Sequence, residues 1–145
     1  MGIRLEFTPD QAEDDLAIQL GASAVVQRLG AVERHHHYVP GRRFEADIAI
    51  PSARLLIEVQ GGIYTRQAHG SVSGVLRDNE RLNLATLHGW AVLRFTPEEV
   101  GSGVALTTIE EYLARRGEGG RAAPLDDHPP APNTTHPDAY PCDAR

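Results

Sequence analysis

Residues 44–60 read Phe44-Glu45-Ala46-Asp47-Ile48-Ala49-Ile50, then Pro51-Ser52-Ala53, then Arg54-Leu55-Leu56-Ile57-Glu58-Val59-Gln60. Two apolar runs of strand length flank a short proline-bearing turn, which predicts a tight antiparallel hairpin. Alternation with a period of two sends Phe44, Ala46, Ile48 and Ile50 to one face, and Glu45, Asp47 and Ala49 to the other. On the second run Leu55, Ile57 and Val59 share a face, as do Leu56, Glu58 and Gln60. Each strand thus carries one acid, Asp47 or Glu58, inside otherwise apolar sequence. An ionised carboxylate buried without a partner is expensive. Two that converge at one end of a hairpin repel unless a proton or a cation lies between them. A hard divalent cation such as Mg²⁺ relieves that repulsion and takes oxygen ligands. It also activates water and polarises phosphodiesters. The plainer alternative is a pair of exposed acids on a solvated sheet face.

Outward from the hairpin, a strand is expected near 31–39, joined through Pro40-Gly41 to the strand at 42–50, so three strands form an antiparallel meander. Upstream, Thr8-Pro9-Asp10-Gln11 is a capping box with proline at the first helical position. It predicts a helix to about Leu29, buried through Leu16, Leu20 and the Val25-Val26-Leu29 cluster. Residues 1–7 alternate Ile3, Leu5 and Phe7 and suit a short edge strand. Downstream, glycine-rich 61–74 reads as a mobile loop. A helix follows at about 75–88, closed by Gly89, then a buried strand from Trp90 to Phe95. Thr96-Pro97-Glu98-Glu99 repeats the capping box, and a last helix covers about 104–116 with Leu106, Ile109 and Leu113 at helical spacing. The order is α-β-β-β-α-β-α, an α/β fold in which a small mixed sheet is flanked by helices.

The chain has 145 residues, 41% of them hydrophobic, which suits one domain over 1–116. Six of the ten prolines fall in 117–145, which is acidic, poor in core-forming residues and expected to be disordered. The single cysteine, Cys142, excludes an internal disulfide. No apolar run reaches the roughly 20 residues of a membrane span and no signal-peptide pattern opens the chain, so no membrane partner and a cytoplasmic location are expected. The net charge of -6 weighs against nucleic acid. It divides evenly, -3 in 1–116 and -3 in the tail, and every fixed cation is arginine, the residue that grips phosphate bidentately.

The order Asp47, turn, Ile57-Glu58-Val59-Gln60-Gly61-Gly62, His69, Gly74, Asp78, Asn83 and Gly89-Trp90-Ala91-Val92-Leu93-Arg94-Phe95-Thr96 resembles the PD-(D/E)XK nuclease superfamily. Within it, the likeness is to the compact branch found in phage proteins and Vsr-like endonucleases, and it covers about residues 10–100. The resemblance implies a restriction-endonuclease-like core and an Mg²⁺-dependent endodeoxyribonuclease, with Mn²⁺ as substitute. It implies that Asp47 bridges the metal and a substrate phosphate, that Glu58 is the second carboxylate ligand, and that the main-chain carbonyl of Val59 is the third. Gln60 stands where the family has lysine. It can orient water by hydrogen bonds, yet it carries no charge and is no Brønsted acid or base. Glu13 resembles the family's upstream acid, and His69 its loop histidine.

Several assignments stay open on the residues themselves. Gln60 is also a plain strand-end polar group, and His69 also an exposed loop side chain. Asp14 and Asp15 compete with Glu13, since acids are favoured in any first helical turn. Arg43, Arg66, Arg77 and Arg81 are candidate phosphate contacts, with an Asp78–Arg81 ion pair as the alternative for the last. In His35-His36-His37 strand alternation sends the middle ring to the opposite face, which argues against a convergent zinc site and leaves the run outside the candidate site. Function stays between a DNA endonuclease, acting on branched or mismatched DNA with a homodimer as one form, and a catalytically weak or inactive nucleic-acid-binding module on the same scaffold. The tail's prolines suit docking of a protein partner.

Overall fold

The predicted hairpin forms the centre of the sheet. In the computed structural model, which describes residues 8–61 and 72–118, β2 (Glu45–Ile50) pairs antiparallel with β3 (Leu55–Val59) through Ile48↔Ile57, Ala49↔Leu56 and Ile50↔Leu55. A 3-10 turn at Pro51–Ala53 joins them and ends on Arg54, left-handed at φ 50° and ψ 42°. Strand β1 (Glu33–His37) adds antiparallel to β2, and β4 (Ala91–Phe95) adds parallel to β3, giving the order β1-β2-β3-β4. A parallel pair needs a crossover rather than a tight turn. Here it includes α3 (Val72–Leu87), which begins before the expected residue 75. The result is an open four-stranded mixed sheet flanked by helices.

The helix expected over 9–29 is two helices, α1 (Pro9–Ala22) and α2 (Ala24–Gln27). Between them Ser23 takes an extended backbone, accepts the Val26 N–H on its hydroxyl and donates that hydroxyl to Glu110 at 2.6 Å. Serine offers the backbone such local bonds and so favours helix ends over interiors. The break leaves Leu29, expected in the buried stripe, 38% exposed. Both capping boxes form, at Thr8 for α1 and at Thr96 for α4 (Pro97–Gly101). Helix α5 (Val104–Glu118) follows and takes in Gly117 and Glu118, which the composition had assigned to the tail.

Two cores sandwich the sheet. On one face Leu16 and Leu20 of α1, Val100 of α4 and Ile109 of α5 pack on Ile48, Ile50, Leu55 and Ile57. On the other, Ala85 of α3 joins Tyr38, Ala46, Ala49, Leu56 and Trp90. Ala46 and Ile48 therefore lie in opposite cores, contrary to the simple alternation that put Phe44, Ala46, Ile48 and Ile50 together. Strand β1 changes face at the same level. Arg34, opposite Ile48, reaches α1, whereas His36, opposite Ala46, packs on Trp90 with ring centroids 5.2 Å apart. Between these pairs stand His35 and Asp47, and His35 is left-handed at φ 51°. Histidine is among the residues that tolerate this conformation, and one such residue re-aims the strand around it.

Where β3 leaves the sheet, a Cβ on Gly61 would overlap Cγ of Pro9, so the start of α1 closes directly on the end of β3. Among the described residues no helix is long and apolar enough to cross a membrane. The strand expected at 1–7, residues 62–71 of the expected loop and residues 119–145 lie outside the described residues. Ile57 is fully buried at the centre, so Ile57→Ala should lower the unfolding free energy by about 2–5 kcal/mol in urea denaturation. Ile18, 71% exposed on α1, should change it by no more than about 0.5 kcal/mol on the same substitution.

Candidate active site

The β2–β3 ladder ends beyond Ile48↔Ile57, and the candidate site opens where the strands part. The Gln60 N–H points to β4, donating to the Phe95 carbonyl at 2.8 Å, so the Val59 N–H points the other way, toward β2. There it donates to Oδ2 of Asp47, at 2.8 Å, in place of a strand carbonyl. This bond fixes the half-buried Asp47 carboxylate in the fork. Burial pushes its pKa up; the Val59 N–H opposes that shift, Glu13 adds to it, and Arg81 and His35 counter it.

Glu58 is buried, and two guanidinium groups hold it. Arg81 of α3 donates to Oε1 at 2.8 Å, and Nε of Arg94 lies 3.0 Å from Oε2. Arg94 is opposite Glu58 in the parallel β3–β4 register, which explains the approach. That Nε–H is buried and poorly aimed for a hydrogen bond, so the contact is chiefly charge attraction. Arg94 also grips Asp78 through both terminal nitrogens, at 2.8 and 3.0 Å, and this holds the Asp78 carboxyl below its ordinary range. Arg81 further donates to the Glu45 carbonyl at 3.0 Å. In place of the alternative i,i+3 pair between Asp78 and Arg81, each has a partner from the sheet, Arg94 for Asp78 and Glu58 for Arg81. Arg81 accordingly serves a carboxylate here, where a free phosphate contact was one expectation.

Among the three acids near the start of α1, Glu13 is the one whose charge bears on Asp47. Its side chain is only 12% exposed and pairs with Arg34 at 2.5 Å and with Nε2 of His35 at 3.5 Å. Asp14 takes the other side of Arg34, and Asp15 accepts from Gln19 within the helix. His35 also meets Glu45 through Nδ1 at 2.9 Å. It therefore stands beside the Glu13–Asp47 pair, a place that strand alternation alone does not give it. Its signal was the acid opposite it on the neighbouring strand, invisible until register is known. His36 packs instead on Trp90.

Gln60 is half-buried at the strand end, while Arg43 and Arg77 are exposed. Arg66 and His69 lie outside the described residues. Arg34 and Arg94 are the site cations to which the sequence gave no role.

The donors that the resemblance implies for a hard cation are Asp47, Glu58 and the Val59 carbonyl. The desolvated Asp47 carboxylate suits such an ion, which would offset the burial penalty. Glu58 can join it only if Arg81 moves aside. Among the described residues no group of three or more His, Cys, Asp or Glu side chains is assembled to hold a metal, and the arginines supply the counter-charge. No family model, curated protein or solved structure matches this chain.

The folded pKa of Asp47 lies above its unfolded value, so between the two the folded state binds more protons and stability falls as pH rises. Below both values the penalty vanishes. Asp47→Asn keeps an acceptor for the Val59 N–H and removes the charge. It should melt at a higher temperature than the wild type at neutral pH, with the gap closing as pH falls through the carboxylate range. Thermal unfolding by circular dichroism across that range checks this, and equal melting at neutral pH counts against it.

Proposed function

We propose that this chain is a divalent-metal-dependent endonuclease of restriction-endonuclease-like architecture that hydrolyses phosphodiester bonds in DNA. The observation that carries the proposal is the Asp47 carboxylate, desolvated and fixed by the Val59 N–H at the β2–β3 fork, with Glu13 near it and Glu58 on the adjoining strand. An open four-stranded mixed sheet flanked by helices leaves room for such a core and supports the reading.

Asp47, Glu58 and the Val59 carbonyl would hold Mg²⁺ or Mn²⁺. When bound, the ion supplies Lewis acidity toward a phosphodiester. The chain's own groups do the rest. Asp47 keeps one oxygen on Val59 and presents the other to the reacting centre. Arg81, once released from Glu58, offers its fork to a phosphate oxygen while Arg94 keeps Glu58 charge-balanced. Gln60 orients the attacking water by hydrogen bonding, and Arg43 and Arg77 are exposed for flanking phosphates. Glu13 holds polar groups in line from the α1 side.

One observation favours a second reading, a nucleic-acid-binding module with little or no turnover. Arg81 and Arg94 already satisfy Glu58, and Gln60 brings no charge. The experiment separates the two. Branched, mismatched, linear duplex and single-stranded DNA are incubated with the protein in Mg²⁺, Mn²⁺ or EDTA, beside folded Asp47→Ala and Glu58→Ala. Metal-dependent cleavage that each substitution lowers by on the order of a hundredfold or more supports hydrolysis. DNA bound but uncut under every condition selects the binding module.

A further inference from the structure

Away from the fork, a cavity of about 340 Å³ opens where β1, the β3 entry and the end of α3 meet. Arg42, Arg54, His36, His37 and His88 line it, Trp90 forms part of its wall, and none of its lining residues is acidic. In a chain of net charge -6 the cavity gathers two arginines and three histidines. Most of them are already engaged. Arg42 pairs with Glu80 at 2.8 Å, His36 with Glu33 at 2.7 Å, and His37 approaches Glu45 at 3.5 Å.

Arg54 differs. Among the described residues it forms no ion pair, and its guanidinium lies over the Trp90 ring, 5.2 Å from the centroid. Its backbone is held at both ends, its N–H on the Pro51 carbonyl at 3.0 Å and its carbonyl on the Ala91 N–H at 2.9 Å. These bonds keep a non-glycine residue in the left-handed region, where side chains meet steric resistance. A strained position that aims an uncompensated cation into a cavity is the pattern of a ligand site. Guanidinium groups match the oxygens of a phosphate in pairs, and imidazole N–H groups add further donors. The cavity exceeds a bare phosphate, and its aromatic wall suits the sugar or base attached to one.

We propose that this cavity binds a phosphate monoester of the kind carried by a nucleotide or by the end of a DNA strand, with Arg54 as its principal anchor. The site is distinct from the fork: Arg54 enters β3 and Glu58 nearly ends it, roughly 13 Å along the strand at about 3.3 Å per residue. It does not rest on hydrolysis and can be tested without metal.

Trp90 is the only tryptophan of the chain, so its emission reports on the cavity. The full chain in EDTA is titrated with a 5′-deoxynucleoside monophosphate, the matching nucleoside, inorganic phosphate, and one short oligonucleotide with and without a 5′-phosphate. Calorimetry gives each affinity independently. The monophosphate is expected to bind saturably and the nucleoside not. Folded Arg54→Gln should weaken binding about tenfold, the effect of one lost charge-assisted bond, and Arg54→Lys should recover part of it. Preference for the phosphorylated oligonucleotide over its unphosphorylated twin identifies a strand end as the source. Equal affinity for inorganic phosphate identifies the free ion and still supports the site. Nucleoside binding as tight as the monophosphate, unaltered binding in Arg54→Gln, or no phosphate-dependent binding at all overturns the proposal. Since cleavage is measured separately with metal present, this result and the hydrolytic reading stand or fall independently.

Discussion

A carboxylate placed inside an apolar strand has to find positive charge, and Glu58 finds it from two directions. Arg94 comes from the parallel neighbour β4 and Arg81 from α3, the helix between the two strands. The chain Asp78–Arg94–Glu58–Arg81 therefore pins the crossover to the sheet it spans. Removing one partner from such a cluster leaves a buried charge exposed to its full desolvation penalty. The apolar cores give the molecule its stability, and this network fixes where α3 rests on its side of the sheet.

The same network defines the electrostatic state of the fork. Two carboxylates on adjoining strands need a counter-charge, and arginine and a divalent ion are alternative ways to supply it. Arginine has the advantage of permanence and the ion that of Lewis acidity. Under the proposed metal-dependent reading, the first is exchanged for the second as a ligand arrives, provided the guanidinium has somewhere else to go. A phosphate group offers Arg81 such a destination.

The hairpin, the strand after Trp90, both capping boxes and the α5 stripe were legible because each rests on local periodicity or on a turn residue. Trp90 is buried, as its apolar run predicts. The break at Ser23 was not legible, since Ala22 and Ala24 on either side are good helix formers and the hydroxyl's partner, Glu110, is far along the chain. Nor was the change of face at His35 and Asp47, where period-two reasoning fails because one residue leaves the β region. At the site, Asp47 and Glu58 stood out as acids in apolar runs. Their partners did not, because Arg94 and Arg81 meet Glu58 only through the β3–β4 register and the docking of α3, both long-range facts. Arg34 was missed for the same reason: nothing local ties it to Glu13.

The contact between Gly61 and Pro9 has a bearing on how any survey of this protein by random substitution would look. Proline is rigid, so a side chain at position 61 displaces α1 itself rather than a flexible neighbour. Glu13 rides on that helix, and so does the Leu16–Leu20 stripe that covers the sheet. Loss of function would then map to a glycine with no chemistry of its own, beside the acids it resembles in effect. Sensitivity to substitution along this part of the chain marks geometry as readily as it marks reaction, and Gly61 is where the two are easiest to confuse.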